Sequence, residues 1–391
     1  MLPKTRKKPR QKMQHAGGEE MKERSGRDRR QRIAGRRTRR NRTRTIGRKN
    51  PTKSPLKSST ASRSTTNSSI LQEAFRAGQR AGCKALESEQ SIEQHARSAW
   101  QEHEATISAE LRGYSAAMHA GKAFMQGYTH AAGRSLNIIP IALNKPAAAV
   151  VCACNEELTL GQVLVQLKRL PLTDIVVVLN GTTDNSLAQV LEQPGITLVY
   201  EPDRAGHDVG RALGAKMTEA ETLLFVDGDM VVPAEQLAPF LYAVDRGDDV
   251  ALNNLSSLLP PFARQDEVSR IKAYLNRVLN RSDLGSNSLT AVPHALSRNM
   301  IQIVKPEALA VPPKAQSLAI QHGLKVTAPS QVDVIRSNRL RSTNTGSGNE
   351  VAQLIIGDHL EAIATWLDMG DNMSQARSIS RAEVAYRRNA R

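Results

Sequence analysis

The run Thr222-Leu223-Leu224-Phe225-Val226-Asp227-Gly228-Asp229 limits the folds open to this chain more than any other stretch. Successive apolar residues that stop at two carboxylates describe a strand buried on both faces, which delivers Asp227 and Asp229 to its carboxyl end. Open α/β sheets hold ligands at that end. Two hard oxygen donors suit a divalent cation, whose remaining positions go to water and to the oxygens of a diphosphate. Gly228, with no side chain, lets the backbone bend and a ligand come close. Taken alone, Asp-Gly-Asp is an ordinary acidic turn, so the upstream sequence has to supply the context.

It does so by repeating the arrangement. Residues 148–154 are apolar and end at Asn155-Glu156-Glu157, followed by a helical stretch to about Leu170. Residues 175–179 end at Asn180-Gly181-Thr182-Thr183-Asp184-Asn185-Ser186, and residues 197–200 end at Glu201-Pro202-Asp203-Arg204-Ala205-Gly206. A helix over 208–218 then leads into the Asp227 strand. Strands alternating with short helices predict βαβ units and a parallel sheet with right-handed crossovers, with several polar loops converging on one edge. Other local signals are weak. Gly206, Gly210 and Gly214 do not make a dinucleotide fingerprint, and no Gly-Lys-Ser phosphate loop is present. Cys152 and Cys154 read as small buried residues. His207 and Arg211, at a helix start, fit either phosphate contacts or plain surface positions.

A length of 391 residues allows one large domain with appendages, or two domains. Of the 54 basic residues, 23 fall in residues 1–70 against 4 acids, so the strong positive charge belongs to the tail alone. Residues 1–69 have almost nothing to bury and are expected to be a disordered basic tail, attracting nucleic acid, anionic lipid or an anionic polymer by counterion release. No aromatic residue interrupts it, so the stacking groups of single-strand binders are missing. Residues 70–135 read as a helical adaptor of two or three helices. Ala74, Gly78 and Gly82 share a face, an aromatic-x-x-Gly pattern returns at Phe124 and Gly127, and His95, His103, His119 and His130 read as surface residues. A linker follows over 136–146. Cys83, Cys152 and Cys154 make neither a disulfide framework nor a zinc pattern and suit a reducing compartment. With no transmembrane-length apolar stretch and no signal-peptide core, the expectation is a cytoplasmic protein, touching membrane only peripherally through its tail.

The three loop motifs together resemble the glycosyltransferases of family 2. Val150-Val151-Cys152-Ala153-Cys154-Asn155-Glu156-Glu157 matches their opening strand and Asn-Glu pair. Asn180 to Ser186 stands in the place of an Asp-Asp-Gly-Ser-x-Asp loop, and Phe225 to Asp229 in the place of the Asp-x-Asp. The resemblance implies an α/β GT-A fold, a Rossmann-like and mostly parallel sheet flanked by helices, over 147–370. Its donor half would be 147–255 and its acceptor half 256–370, with a basic tail at 371–391. It also implies a nucleotide-diphospho-sugar donor whose nucleoside is held by Cys154, Asn155, Glu156, Asn180, Gly181 and Asp184, with Gly206 under the donor. Asp227 and Asp229 would hold Mn2+ or Mg2+, and Arg204 and Arg211 would assist the leaving group. The acceptor is unidentified, a cell-envelope glycan being one candidate.

The chain also departs from that pattern. Asn180 replaces an acid, and residues 309–315 hold no acid where inverting members place their base, which leaves inversion and retention both open. Asp358 is the best substitute base, with His359 as a further base or metal contact and His294 next. Against these roles, Asp358 can simply cap a helix over 360–367 and His294 can be an ordinary loop residue. The rest of the acceptor half predicts a helix over 266–280, short strands over 324–327 and 332–335, and a polar lid over 342–350. Two rivals remain. A nucleotidyltransferase would want a glycine-rich, basic first loop. A polyanion-binding protein would carry the sheet domain only as a catalytically degenerate relic.

Overall fold

A computed structural model of the chain describes residues 60–85, 91–206, 208–337, 349–368 and 382. Three helices come first: α1 (Thr60–Lys84), α2 (Ile92–Ile107) and α3 (Gly113–Ala132). The small-residue face of α1 meets α3 backbone to backbone. A Cβ at Gly78 would lie 1.9 Å from the Phe124 carbonyl oxygen, and one at Gly127 would lie 2.0 Å from that of Phe75. The repeated aromatic-x-x-Gly pattern is thus one contact made twice, open only to residues without a Cβ. Trp100, Phe124 and Tyr128 fill the core of the bundle. His103 is a correction to the surface assignment, because its ring stacks on Phe124 and its Nε2 is buried. The bundle is tied to the rest of the chain by the Arg246–Glu104 ion pair at 2.8 Å and by Arg97, which donates to the Arg169 carbonyl at 2.8 Å.

The chain then alternates: β1 (Ala147–Ala153), α4 (Leu160–Lys168), β2 (Asp174–Asn180), α5 (Ser186–Leu191), β3 (Thr197–Glu201), α6 (Val209–Lys216) and β4 (Thr222–Asp227). After it come α7 (Ala234–Asp245), β5 (Val250–Asn253), α8 (Glu267–Val278), β6 (His294–Ser297), α9 (Arg298–Val304), α10 (Pro312–Gln321), β7 (Val326–Ser330), α11 (Val334–Ser337) and α12 (Glu350–Asp368). The strands form one seven-stranded sheet in the order β3-β2-β1-β4-β6-β5-β7. β3, β2, β1 and β4 are parallel, and β6 runs antiparallel to both of its neighbours. Both sheet faces are covered by apolar clusters, which is why the parallel strands are continuous hydrophobic runs rather than alternating ones.

Strand order fixes where a ligand can go. The chain winds from β1 outward to β3 and then returns to the other side of β1 as β4. Between β1 and β4 the connections leave in opposite directions, and a crevice opens at the carboxyl ends of those two strands. Their register aligns Cys152 with Asp227.

Several expectations change. α1 begins at Thr60, inside the stretch read as tail, while 1–59 and most of 371–391 lie outside the described residues. Residues 332–335 do not form a strand, because the buried Asn253 carboxamide takes the Val332 N–H at 2.9 Å. α12 starts at Glu350 rather than near Leu360, and most of the expected lid, 342–348, lies outside the described residues. The helix read over 266–280 is present as α8, with the Asp266 side chain accepting from the Ser269 N–H at 2.6 Å as its amino-terminal cap. Among the described residues no helix is long and apolar enough to cross a membrane.

Candidate active site

A cleft opens at the switch point, where open α/β sheets hold their ligands. Its walls include Cys154 and Glu156 after β1, Asn180 after β2, Arg204 and Gly206 after β3, Gly210 and Arg211 of α6, and Asp227 and Asp229 after β4. Of the residues singled out in the sequence, Asn155, Gly181 and Asp184 stand behind this wall and build its loops.

The Asp-Gly-Asp turn is held from both sides. The Gly228 N–H donates to the Cys152 carbonyl at 2.8 Å, and its own carbonyl accepts from the Thr159 hydroxyl at 2.8 Å. A side chain at Gly228 has no room, since a Cβ would lie 2.7 Å from that of Ala153. Beneath the turn, the Arg211 side chain is 6% exposed and forms ion pairs with Asp208 and, at 3.7 Å, with Asp227. Burial alone would lower the Arg211 pKa, but Asp208 and Asp227 outweigh it and hold the group above its ordinary value. Arg211 is therefore a fixed cation that orients Asp227 from below. The surface alternative for it is ruled out. Gly210 and Gly214 explain how α6 comes so close, since Cβ atoms there would stand 3.1 Å from Cys152 Sγ and 2.3 Å from Val150 Cγ1.

The two loops expected to hold a nucleoside are laced to each other. Asn155, at φ 59°, turns its Oδ1 to the Thr183 and Asp184 N–H groups at 2.7 and 3.2 Å. The Asp184 carboxylate accepts from the Glu157 and Ser186 N–H groups, both at 3.0 Å. Its partial burial favours the neutral acid, but the bonds from Ser186 and Glu157 prevail and depress its pKa. Asn180 joins the second loop to the third, accepting from the Ala205 N–H at 2.9 Å and donating to the Gly206 carbonyl at 2.7 Å. The second of those bonds needs a donor, which gives a physical reason for an amide in place of an acid. Arg204 lies across Gly181, φ 70°, and donates to Cys154 Sγ at 3.4 Å.

The acceptor-half candidates are not at this cleft. His359 is fully buried on α12, donating from Nδ1 to the Ile355 carbonyl at 2.6 Å, with Nε2 facing the Ser288 hydroxyl at 3.4 Å. Burial lowers its pKa to about 4. It does not join Asp227 and Asp229, because α12 packs against α8 and α10 and turns this face inward. Asp358 lies within α12 and so is not a cap, and it is not among the residues that line the cleft. His294 stacks on Phe225 with ring centroids 5.2 Å apart, and burial brings its pKa down to about 3. It is a neutral core residue. His207 lies outside the described residues.

The donor set at the cleft decides which cation it could take. Among the described residues, no three His, Cys, Asp or Glu side chains are gathered for a metal ion. Asp227 and Asp229 therefore fit a cation that takes one or two carboxylates and completes its shell with water and phosphate oxygens, as Mg2+ does. They do not fit an all-protein cage. Sequence reasoning missed Asp208, although its spacing of three residues from Arg211 at the same helix start was a local signal for the ion pair.

Residues 148–284 match the family described as Glycosyl transferase family 2. No curated protein matches the chain in sequence. Among solved structures, glucosyl-3-phosphoglycerate synthase from Mycobacterium tuberculosis, in complex with Mn2+, UDP and phosphoglyceric acid, is 15% identical over 56% of this chain and 78% of that one, with a TM-score of 0.43. TarS 1-349 from S. aureus, in complex with UDP, is 19% identical over 44% and 55%, with a TM-score of 0.31. The mannosyltransferase PcManGT from Pyrobaculum calidifontis, in complex with GDP-Man and Mn2+, is 13% identical over 73% and 94%, with a TM-score of 0.34.

Proposed function

We propose that this chain, a glycosyltransferase with its family 2 domain at residues 148–284, moves a sugar from a nucleotide-diphospho-sugar held at the β1–β4 crevice to the hydroxyl of an acceptor. The bond between the anomeric carbon and the diphosphate oxygen breaks, a bond to the acceptor oxygen forms, and the acceptor's proton leaves. The observation that carries this reading is the placement of Asp227 and Asp229 on the cleft wall, with Arg211 paired beneath Asp227 at 3.7 Å. Asp227 and Asp229 would hold Mn2+ or Mg2+, which when bound neutralises charge developing on the departing diphosphate. Arg211 pairs with Asp227 and holds it at the crevice. Arg204, in the opposite wall, adds positive charge near the donor. Asn155, Asn180 and Asp184 hold the three loops in one arrangement, so that the cleft is formed before a ligand arrives.

The relic reading gains no support from a cleft that keeps both carboxylates. A thermal-shift series on the full chain, with nucleotide diphosphates and their sugars, with and without Mn2+, tests the proposal. Stabilisation by at least one nucleotide that needs Mn2+, and that Asp229→Ala abolishes, is the expected outcome. A melting temperature unmoved by the whole panel would refute it.

A further inference from the structure

The stretch after β5 carries an apolar surface that the cleft does not use. It reads Leu258-Leu259-Pro260-Pro261-Phe262-Ala263-Arg264, and Phe262 is 55% exposed on a single helical turn, Phe262–Arg264. Three hydrogen bonds brace that turn. The Arg264 N–H donates to the Pro261 carbonyl at 2.8 Å, the Gln265 side chain to the Pro260 carbonyl at 3.0 Å, and Arg270 of α8 to the Ala263 carbonyl at 2.9 Å. Arg270 thereby joins the turn to α8, where Arg270, Tyr274 and Arg277 follow one another at four and three residues and share a face. All three are exposed, Tyr274 to the same extent as Phe262.

Charge separates this surface from the other exposed apolar positions. Outside the basic tail the chain has slightly more acids than bases, yet residues 258–281 hold five basic residues against two acids, Asp266 and Glu267. Asp266 is engaged as the cap of α8, which leaves Glu267 at the end of the arginine face. Among the described residues Arg264, Arg270 and Arg277 are in no ion pair. The exposed Leu158 and Leu191, by contrast, adjoin Glu157 and Glu192. Topology puts the surface beside the cleft. β4 and β5 each run antiparallel to β6, so their carboxyl ends lie at one edge of the sheet, and the stretch after β5 leaves from the edge that bears the Asp227 turn. Lys272 is on the inner side of α8, between the buried Ser269 and Asn276. Burial brings its pKa down to about 8; Asp266 opposes the shift, and Arg211 of the cleft is near enough to add to it.

We propose that this surface, residues 258–264 with Arg270, Tyr274 and Arg277, docks on an anionic membrane. Phe262 enters the boundary of the acyl chains, Tyr274 sits at headgroup level, and the arginines meet lipid phosphates. An apolar tip flanked by unpaired arginines matches a partner that is hydrocarbon beneath a negatively charged layer. A soluble anionic polymer would satisfy the arginines and leave Phe262 in water, and an apolar partner would leave the arginines unmatched. The contact is distinct from that of the basic tail, whose attraction is one of charge alone. It stands independently of the transferase reading, which needs no membrane.

The test is cosedimentation of the full chain, over a salt series, with vesicles of phosphatidylcholine alone and of an equal mixture with phosphatidylglycerol. Binding is expected to the mixture and not to phosphatidylcholine alone. Phe262→Ser should weaken it about tenfold, the scale of one large apolar side chain withdrawn from a buried site. Its salt dependence and the melting temperature should stay as in the parent, because the ring is uncharged and exposed. Arg264→Gln and Arg277→Gln together should weaken binding by about fivefold for each charge removed and make it less sensitive to salt. Insertion is read directly on Phe262→Trp, whose emission should move to the blue and be quenched by brominated acyl chains beyond the signal of Trp100 and Trp366 in the parent. A Phe262→Ser protein that binds the mixture as tightly as its parent would overturn the proposal, since the tail would then carry the binding. So would the absence of added quenching in Phe262→Trp, or a parent dimer that Phe262→Ser converts to a monomer, which would place a second copy on this surface.

Discussion

Replacing Gly228 by alanine tests the way the two carboxylates are held. A Cβ at this position would lie 2.7 Å from the Cβ of Ala153, closer than carbon atoms pack, and the main chain on both sides is fixed by hydrogen bonds at 2.8 Å. The strain has to be relieved by moving the end of β4 away from β1. Overpacking of this kind costs about 1–3 kcal/mol. In a domain of this size each kcal/mol lowers the melting temperature by roughly 2–4 °C. Separating the strands also disturbs the register that sets Asp227 beside Cys152, so Mn2+-dependent nucleotide binding should weaken along with stability. The partner substitution supplies the control. Ala153→Gly alone should cost about 1 kcal/mol through backbone freedom and a lost methyl group, but it removes the atom with which the new Cβ collides. In the double variant the two effects should not add, with a coupling of about 1–2 kcal/mol in favour of the pair. Urea denaturation of the four proteins measures this. Additivity within about 0.5 kcal/mol, or a Gly228→Ala protein as stable as its parent, would show that the turn is not packed against β1 as described.

Arg211→Met should destabilise the protein by about 3–5 kcal/mol, because Asp208, 8% exposed, is left without its cation; adding Asp208→Asn should recover part of that loss in the same denaturation assay. In the helical bundle, Gly127→Ala would place a Cβ 2.0 Å from the Phe75 carbonyl oxygen and should lower the melting temperature. Gly161→Ala in α4, with nothing within 4 Å, should raise stability by about 0.5–1 kcal/mol. His359 contributes a pH dependence whose sign follows from its burial. Its folded pKa of about 4 lies below the ordinary 6.5, so the unfolded chain binds the extra proton between those values, and stability is lost as the pH falls from 6.5 toward 4. His359→Gln should flatten that part of the urea-midpoint profile, and an unchanged slope would contradict the burial.

The strands and the side of the sheet on which ligands bind were legible in the sequence, because both depend on local pattern. An apolar run of strand length that ends in polar residues can only be buried and can only present those residues at its end. The runs at 148–154, 175–179, 197–200 and 222–227 therefore named the sheet and the cleft together. The close packing of α1 on α3 was also foreshadowed by its small residues, since glycine is the one residue that lets two backbones touch.

The roles of individual side chains were settled by tertiary structure. Asn155, Asn180 and Asp184 have the chemistry of ligand-binding residues, and nothing in their local sequence says that backbone N–H groups of other loops occupy them. Arg211 at a helix start fitted either a phosphate contact or a surface position, and docking α6 beneath β4 excluded the second by burying it between two carboxylates on the cleft wall. His359 and Asp358 stood beside each other in a promising segment, yet α12 turned the histidine into a packed interface and left the acid outside the cleft. Periodicity reports which residues are buried or exposed along one element. Which partner each buried polar atom meets depends on strand order and helix docking, and those are fixed by contacts between residues far apart in the chain.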